Sequence, residues 1–293
     1  MKKILFIGKG SEKDPGFEGV TLDRIHYKDW MERKGIFVFE SEIIQSCHGC
    51  PDLMNKYSAE LESRAASGDR VVGIFSGGLY LALSSLQATQ VTFPIISVPD
   101  DLVAYQAFMV PSGHAVVAGV GVDKEEIVSS QSKTNQKEKA LMLAYKMLTL
   151  EDQEVCIIED ESKGKLEKKL LSLGINYKTG SYPHALHLSY SKSDQTNIYP
   201  YAQCLIRADS DANMNSWTYL RDSEERNHWH NLGQVLDSVP FAQVRGSDNL
   251  AIYAAKILSL QNPSLRRTLL EIKDAKRKSY NKHERHLSIE LAD

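Results

Sequence analysis

Two runs, Ile4-Leu5-Phe6-Ile7 and Val71-Val72-Gly73-Ile74-Phe75, carry no polar side chain, and they stop at the turns Gly8-Lys9-Gly10 and Ser76-Gly77-Gly78. A strand with one wet face alternates apolar and polar residues. A strand without that alternation is covered on both faces, the condition of strands in a parallel sheet flanked by helices. Helix signals fall between such runs. Lys28 to Lys34 reads as helical before Gly35, Ile36 to Ile44 as a second strand region, and Pro51 to Ala66 as a helix with proline in its first turn. Tyr80 to Thr89 reads as a small-residue helix, Pro94 to Pro99 and Ala115 to Val122 as strands, and Lys139 to Leu150 as a helix. This order predicts an α/β fold built on a doubly wound parallel sheet. Ligands of such sheets bind in loops beyond the carboxyl ends of the strands, here Gly8–Asp14, Ser46–Cys50, Ser76–Leu79 and Pro99 onward.

The polar stretch Asp123 to Lys139 is expected to be a mobile loop, and a second cycle follows it. Val155 to Ile158 is a strand ending in Glu159-Asp160, and Lys165 to Leu173 is a helix stopped by Gly174. Ile175 starts another strand, Ala202 to Arg207 and Val239 to Val244 are strands, and Asn249 to Leu260 is a helix. The ends of the two halves correspond: Ala115–Val122 then Ala140–Leu148 matches Phe241–Val244 then Leu250–Leu258. A degenerate internal duplication follows, with units at 1–150 and 151–293, and 293 residues suit two domains of roughly 150 each.

The charge balance, 35 basic against 38 acidic residues, gives no global attraction to nucleic acid or an anionic membrane. No apolar run is long enough to span a bilayer, and Ile4–Ile7 is too short for a signal peptide. A cytoplasmic protein is therefore expected, with its four cysteines as thiols. The tail from Ser264 to Arg285 carries eight Lys or Arg against three acids and reads as a solvated helix face.

Cys47-His48-Gly49-Cys50-Pro51 sits between a predicted strand and a predicted helix. A thiol at a helix N-terminus is biased toward thiolate, and Cys-x-x-Cys before a helix suits thiol–disulfide exchange. A metal is not expected: Cys156 and Cys204 stand in separate strands, and the pairs His184/His187 and His228/His230 lack a third ligand at a recognisable spacing. There is no phosphate-loop motif, and Gly8-Lys9-Gly10 lacks the third glycine of a dinucleotide fingerprint.

Four segments together resemble the PurE-type carboxyaminoimidazole ribonucleotide mutases of purine synthesis. The family's Gly-Ser-x-Ser-Asp loop is matched by Gly10-Ser11-Glu12-Lys13-Asp14, and its Ser-Ala-His-Arg-Thr-Pro by Ser46-Cys47-His48-Gly49-Cys50-Pro51. Its Gly-Gly turn is matched by Gly77-Gly78, and its Pro-Val-x-Gly-Val-Pro strand by Pro94-Ile95-Ile96-Ser97-Val98-Pro99. Met109 to Gly113 and Asn249 to Lys278 resemble its later segments. The resemblance implies a flavodoxin-like, three-layer fold and a site for a phosphorylated, nucleotide-like metabolite, with no metal or organic cofactor. It makes His48 the acid or base of carboxyl transfer, Ser11 part of the base and carboxylate pocket, and Asp14 a ribose ligand. Gly10, Ser46, Gly77 and Gly78 complete the lining. An imidazole suits proton transfer near neutral pH.

The chain departs from the family where its phosphate-binding arginine is replaced by Gly49, with Lys13 as a substitute charge. It departs again where Leu79 to Ser84 replaces a histidine- and proline-bearing motif. Glu159-Asp160 stands where the second half would bind phosphate, so that half is expected to have no site. The expectations are a carboxyl-transfer isomerase or lyase, a PurE-like binding or structural protein without catalysis, or a thiol-redox protein using Cys47 and Cys50. A homo-oligomer is also expected, most simply a tetramer. Its terminal helix, Pro263 to Tyr280, has an apolar stripe of Leu265, Leu269, Leu270 and Ile272 that must cover either the first half or another chain.

Overall fold

The computed structural model describes residues 1–10, 16–41, 50–77, 82–99, 113–120, 130–151, 153–180, 185–191, 204–209 and 241–284. The first half contains β1 (Lys3–Lys9), β2 (Thr21–Leu22), β3 (Ile25–His26), α1 (Tyr27–Arg33), β4 (Ile36–Glu40) and α2 (Pro51–Ala66). It continues through β5 (Arg70–Gly77), α3 (Ala82–Gln90), β6 (Ile95–Pro99), β7 (Ala118–Val120) and α4 (Ser130–Thr149). The second half contains β8 (Val155–Asp160), α5 (Lys165–Ser172), β9 (Lys178–Thr179), β10 (Leu186–Ser191), β11 (Cys204–Asp209), β12 (Phe241–Arg245), α6 (Gly246–Leu258) and α7 (Pro263–Glu284).

The local reasons are plain. Ile4 to Ile7 are all buried in β1, as an unalternating run requires. In α2, Pro51 takes the first turn, and Met54, Ser58, Leu61 and Ala65 recur every three or four residues as its buried face. Gly35 and Gly174 follow α1 and α5 with φ of +73°, the left-handed conformation that lets a helix end and the chain turn back.

Among the described residues, ten strands form one sheet in the order β4-β1-β5-β6-β7-β12-β11-β10-β8-β9, and a separate hairpin pairs β2 with β3. Every neighbouring pair in the large sheet is parallel except β7 with β12, which is antiparallel. The fold is α/β with a parallel sheet, and the first half has the flavodoxin-like strand order, second-first-third-fourth-fifth. Read from the other end, β9-β8-β10-β11-β12 has the same order. Because β7 and β12 run in opposite directions, the carboxyl ends of the first-half strands face one rim of the sheet and those of the second half face the other.

The halves meet through buried side chains. The Tyr253 hydroxyl of α6 donates to the Ile95 carbonyl at 3.0 Å, and the Lys256 Nζ donates to the Val91 carbonyl at 3.3 Å. Arg70, buried at the start of β5, donates to the Leu148 carbonyl at 3.2 Å and to Gln261 Oε1 at 2.8 Å. The end of α3 collects hydrogen-bonding side chains: the ammonium of Lys273 donates to the Gln90 carbonyl at 2.5 Å, and the imidazole of His114, its pKa lowered by burial and by nearby lysines, has Nε2 3.2 Å from the Thr89 carbonyl. The Lys273 charge suits the negative end of a helix.

Several sequence expectations are corrected. The expected loop at Asp123–Lys139 is helical from Ser130, where α4 begins, and Gln136 and Lys137 are already buried; residues 121–129 lie outside the described part. In the Ile36–Ile44 strand region β4 spans Ile36–Glu40 and Ser41 is outside it; residues 42–44 lie outside the described part. The strand placed at Ile175 begins at Lys178, because Gly174 and the residues after it complete the turn out of α5. The apolar stripe of α7 is used within the chain: Leu265 and Leu269 are buried and Ile272 packs against the same core. That outcome removes the stripe as a reason to expect an intermolecular interface there. The basic face of α7 is largely solvated, as at Lys276, Arg277 and Lys278, but Arg266 is buried and donates to the Ser259 carbonyl at 3.2 Å. No helix among the described residues is long and apolar enough to cross a membrane.

Candidate functional site at the first-half rim

Register fixes which residues share the first-half rim. Lys9, Ser76 and Val98 are aligned across β1, β5 and β6, and Gly77 is aligned with Pro99. Glu40 pairs with Ile7, and the Ser41 amide donates to the Ile7 carbonyl at 2.9 Å, so β4 ends slightly behind its neighbours. The chain thus leaves the sheet on one rim after Lys9, Ser41, Gly77 and Pro99, the ends from which the segments singled out in the sequence depart.

The rim is built on small residues. A Cβ on Gly8 would lie 2.6 Å from the buried ring of Phe75, so only glycine lets β1 and β5 close around that ring. Just below the rim, Ser76, Ser84 and Ser97 are fully buried, and Ser84 Oγ donates to Ser97 Oγ at 3.3 Å. Ser58 Oγ bonds both the Met54 carbonyl and Gln87 Oε1 in a second buried polar pair between α2 and α3. These hydroxyls were not singled out in the sequence, where they read as ordinary small residues of a strand and a helix.

A second group flanks the end of β4. Lys28 Nζ and Glu40 Oε2 are 2.6 Å apart, and the buried Tyr27 lies beside the same carboxylate. Burial first, and then Glu40 and Glu18, push the Tyr27 phenol well above its ordinary pKa. The phenol is therefore neutral, fitted to donate a hydrogen bond rather than to act as a base. Lys137 of α4 donates to the Gly16 carbonyl at 2.5 Å and lies 5.6 Å from the centre of the Phe17 ring, holding the chain that enters the β2–β3 hairpin. Nothing in the sequence flagged this group, because the hairpin turn uses Asp23 and Arg24 at positive φ instead of an Asn-Gly pair.

Of the site residues expected from the sequence, three have described positions. Gly10 follows β1 half-buried, Gly77 is the last residue of β5, and Cys50 is exposed immediately before α2. Ser11, Lys13, Asp14, Ser46, Cys47, His48 and Gly78 lie outside the described residues. His187 is buried in β10 with Nδ1 3.0 Å from the Ala185 carbonyl, and burial lowers its pKa. Cys156 is its buried neighbour in register, while His184, His228 and His230 lie outside the described residues. No group of three or more His, Cys, Asp or Glu is placed to hold a metal among the described residues.

On the opposite rim, Asp160 Oδ1 accepts the Ser162 amide at 2.8 Å, and Ser162 Oγ accepts the Leu166 amide at 3.0 Å. These polar groups shape the turn into α5. Comparison of the chain with protein-family models, with curated proteins and with solved structures finds no match.

Proposed function

We propose that the chain is a tandem PurE-like protein whose first half binds a small phosphorylated, nucleotide-like metabolite, with His48 as the acid or base of a carboxyl migration. The observation that carries this reading is the strand order of the first half. It sends β1, β4 and β5 to one rim, ahead of the segments Gly10–Asp14, Ser46–Pro51 and Gly77-Gly78 that resemble the family's ligand loops, with β6 beside them as the counterpart of the family's proline-framed strand. In this reading the two halves are related three-layer units. The shared strand order supports it, as does the equivalence of β7–α4 with β12–α6, each a fifth strand followed by a helix across the sheet. Asp160 and Ser162 are engaged in a turn, in keeping with a second half that has no site of its own.

Carboxyl migration breaks the N–C bond of an N-carboxylated aminoimidazole and forms a C–C bond at the ring carbon, so the proton lost from that carbon must end on the amine nitrogen; His48 is asked to carry it, with no cofactor. Lys13 supplies the positive charge that Gly49 cannot, and Ser11, Asp14, Ser46, Gly77 and Gly78 line the ligand. A homo-oligomer, most simply a tetramer, belongs to the same reading. Calorimetric titration with aminoimidazole ribonucleotide tests it. Binding that is lost in Asp14→Ala, with isomerisation of the N-carboxylated nucleotide to its C-carboxylated form, assayed separately, lost in His48→Asn, is the expected result. No binding by the folded protein overturns it. Binding without turnover, unchanged in His48→Asn, selects a non-catalytic PurE-like binding protein.

One observation favours a second reading. Cys50 is exposed at the N-terminus of the sixteen-residue helix α2, in Cys-x-x-Cys spacing with Cys47, so thiol–disulfide exchange with Cys47 is the competing function. Mass spectrometry before and after a dithiol reductant distinguishes it through a Cys47–Cys50 bridge.

A further inference from the structure

The two ends of the large sheet are finished differently. At one end β9 is only two residues long and carries Lys178, the usual way of blunting an edge. At the other end β4 runs Ile36-Phe37-Val38-Phe39-Glu40 with no proline or lysine, and its register with β1 is regular throughout. Phe37 is 64% exposed and Phe39 46%, two residues apart and therefore on one face. That face is partly built already: Phe39 stacks on Phe6 at 5.7 Å, and Lys2 Nζ lies 5.7 Å from the centre of the Phe37 ring. Among the described residues β4 pairs only with β1 and is the edge strand of the sheet.

We infer that the outer edge of β4 docks a second copy of this chain, strand against strand and antiparallel. Charge selects this occupant and this direction. The end of α1 and the turn entering β4 expose Arg33 and Lys34 beside Glu32, a net positive end, while the strand ends at Glu40, whose side chain is 27% exposed beside Lys28. Antiparallel pairing about Phe37 brings the cationic end of each copy to the carboxylate end of the other. Parallel pairing would set Arg33 and Lys34 against their own copies. The same two-fold arrangement sets Ile36 of one copy against Val38 of the other and gathers both pairs of phenylalanines on one face, where cross-strand aromatic neighbours add stability. It also closes on itself, because each copy has one β4 edge to give. This inference does not depend on the ligand proposed above.

Light scattering of the full chain at micromolar concentrations tests it, together with amide hydrogen exchange of β4. The expected result is an assembly of an even number of 32.9 kDa chains, the β4-paired dimer or a tetramer built from two of them, with Phe37 and Val38 amides protected more strongly as concentration rises. Phe37→Lys should weaken the association at least roughly tenfold while leaving the circular dichroism unchanged. A chain that stays monomeric overturns the inference, whether its β4 amides exchange freely or are covered by its own residues. So does an assembly that Phe37→Lys leaves intact. If Phe37→Lys fails to fold, the concentration dependence of exchange in the wild-type chain decides alone.

Discussion

Lys256 Nζ donates to the Val91 carbonyl at 3.3 Å, with the lysine wholly enclosed between α6 and the first half. Burial brings its pKa down from 10.5 to about 7; Glu62 opposes that fall and Lys273 adds to it. Between about 7 and 10.5 the unfolded chain holds a proton that the folded chain has released, so stability rises with pH across this window. Below it both states are protonated, and the cost of burying the ammonium is fully present. Lys256→Met should flatten this slope and stabilise the protein at pH 6 by on the order of 3–5 kcal/mol, with little difference at pH 10. Urea unfolding of both proteins across that range measures it.

Gly8→Ala should destabilise the chain by about 1–3 kcal/mol, the usual cost of overpacking a core. The added methyl would meet the Phe75 ring, which β5 and β6 hold in place. Thermal unfolding checks the size, and the double variant Gly8→Ala with Phe75→Leu should lose less than the two single losses added together.

The runs Ile4–Ile7 and Val71–Phe75 were legible because a strand covered on both faces has mostly apolar residues to show, and Pro94–Pro99, with Ser97 inside it, because prolines frame it. β10 was not, since Leu186-His187-Leu188-Ser189-Tyr190-Ser191 alternates like a half-wet strand. It is nevertheless central: His187 and Ser189 are buried, their polar groups meeting partners no sequence pattern reveals. The first turns of α4 were hidden in the same way, because Lys137 is held inside by the Gly16 carbonyl, 121 residues away. At the rim the glycines could be read, whereas Tyr27 and Glu40 are brought together only by the packing of α1 against β4. The single-run signals speak for local burial, and these others depend on distant partners.

Arg70→Lys should cost about 2–3 kcal/mol even though the charge is kept. The guanidinium reaches Leu148 and Gln261 at once, and an ammonium cannot fork between them. Gln261 also donates to the Leu150 carbonyl, so α4 should fray at its end. Faster amide exchange in the last turn of α4 is the readout.

A chain cut after Leu150 should not fold stably, although it holds every residue of the candidate site. It would lose α6, whose Tyr253 and Lys256 bond β6 and the turn before it, and it would bare the β7 edge that β12 covers. Loss of near-ultraviolet circular dichroism and a concentration-dependent increase in light scattering are expected. A cooperative unfolding transition in this fragment would contradict this.

The antiparallel meeting of β7 and β12 gives the molecule a front and a back. A tether, bead or fused partner attached at the rim where β8, β10 and β11 end would hold the chain with Gly10 and Gly77 turned outward. Attachment at the rim of β1 and β5 would bury those residues against the support. Immobilised protein should therefore present its candidate site, or hide it, according to which half carries the link.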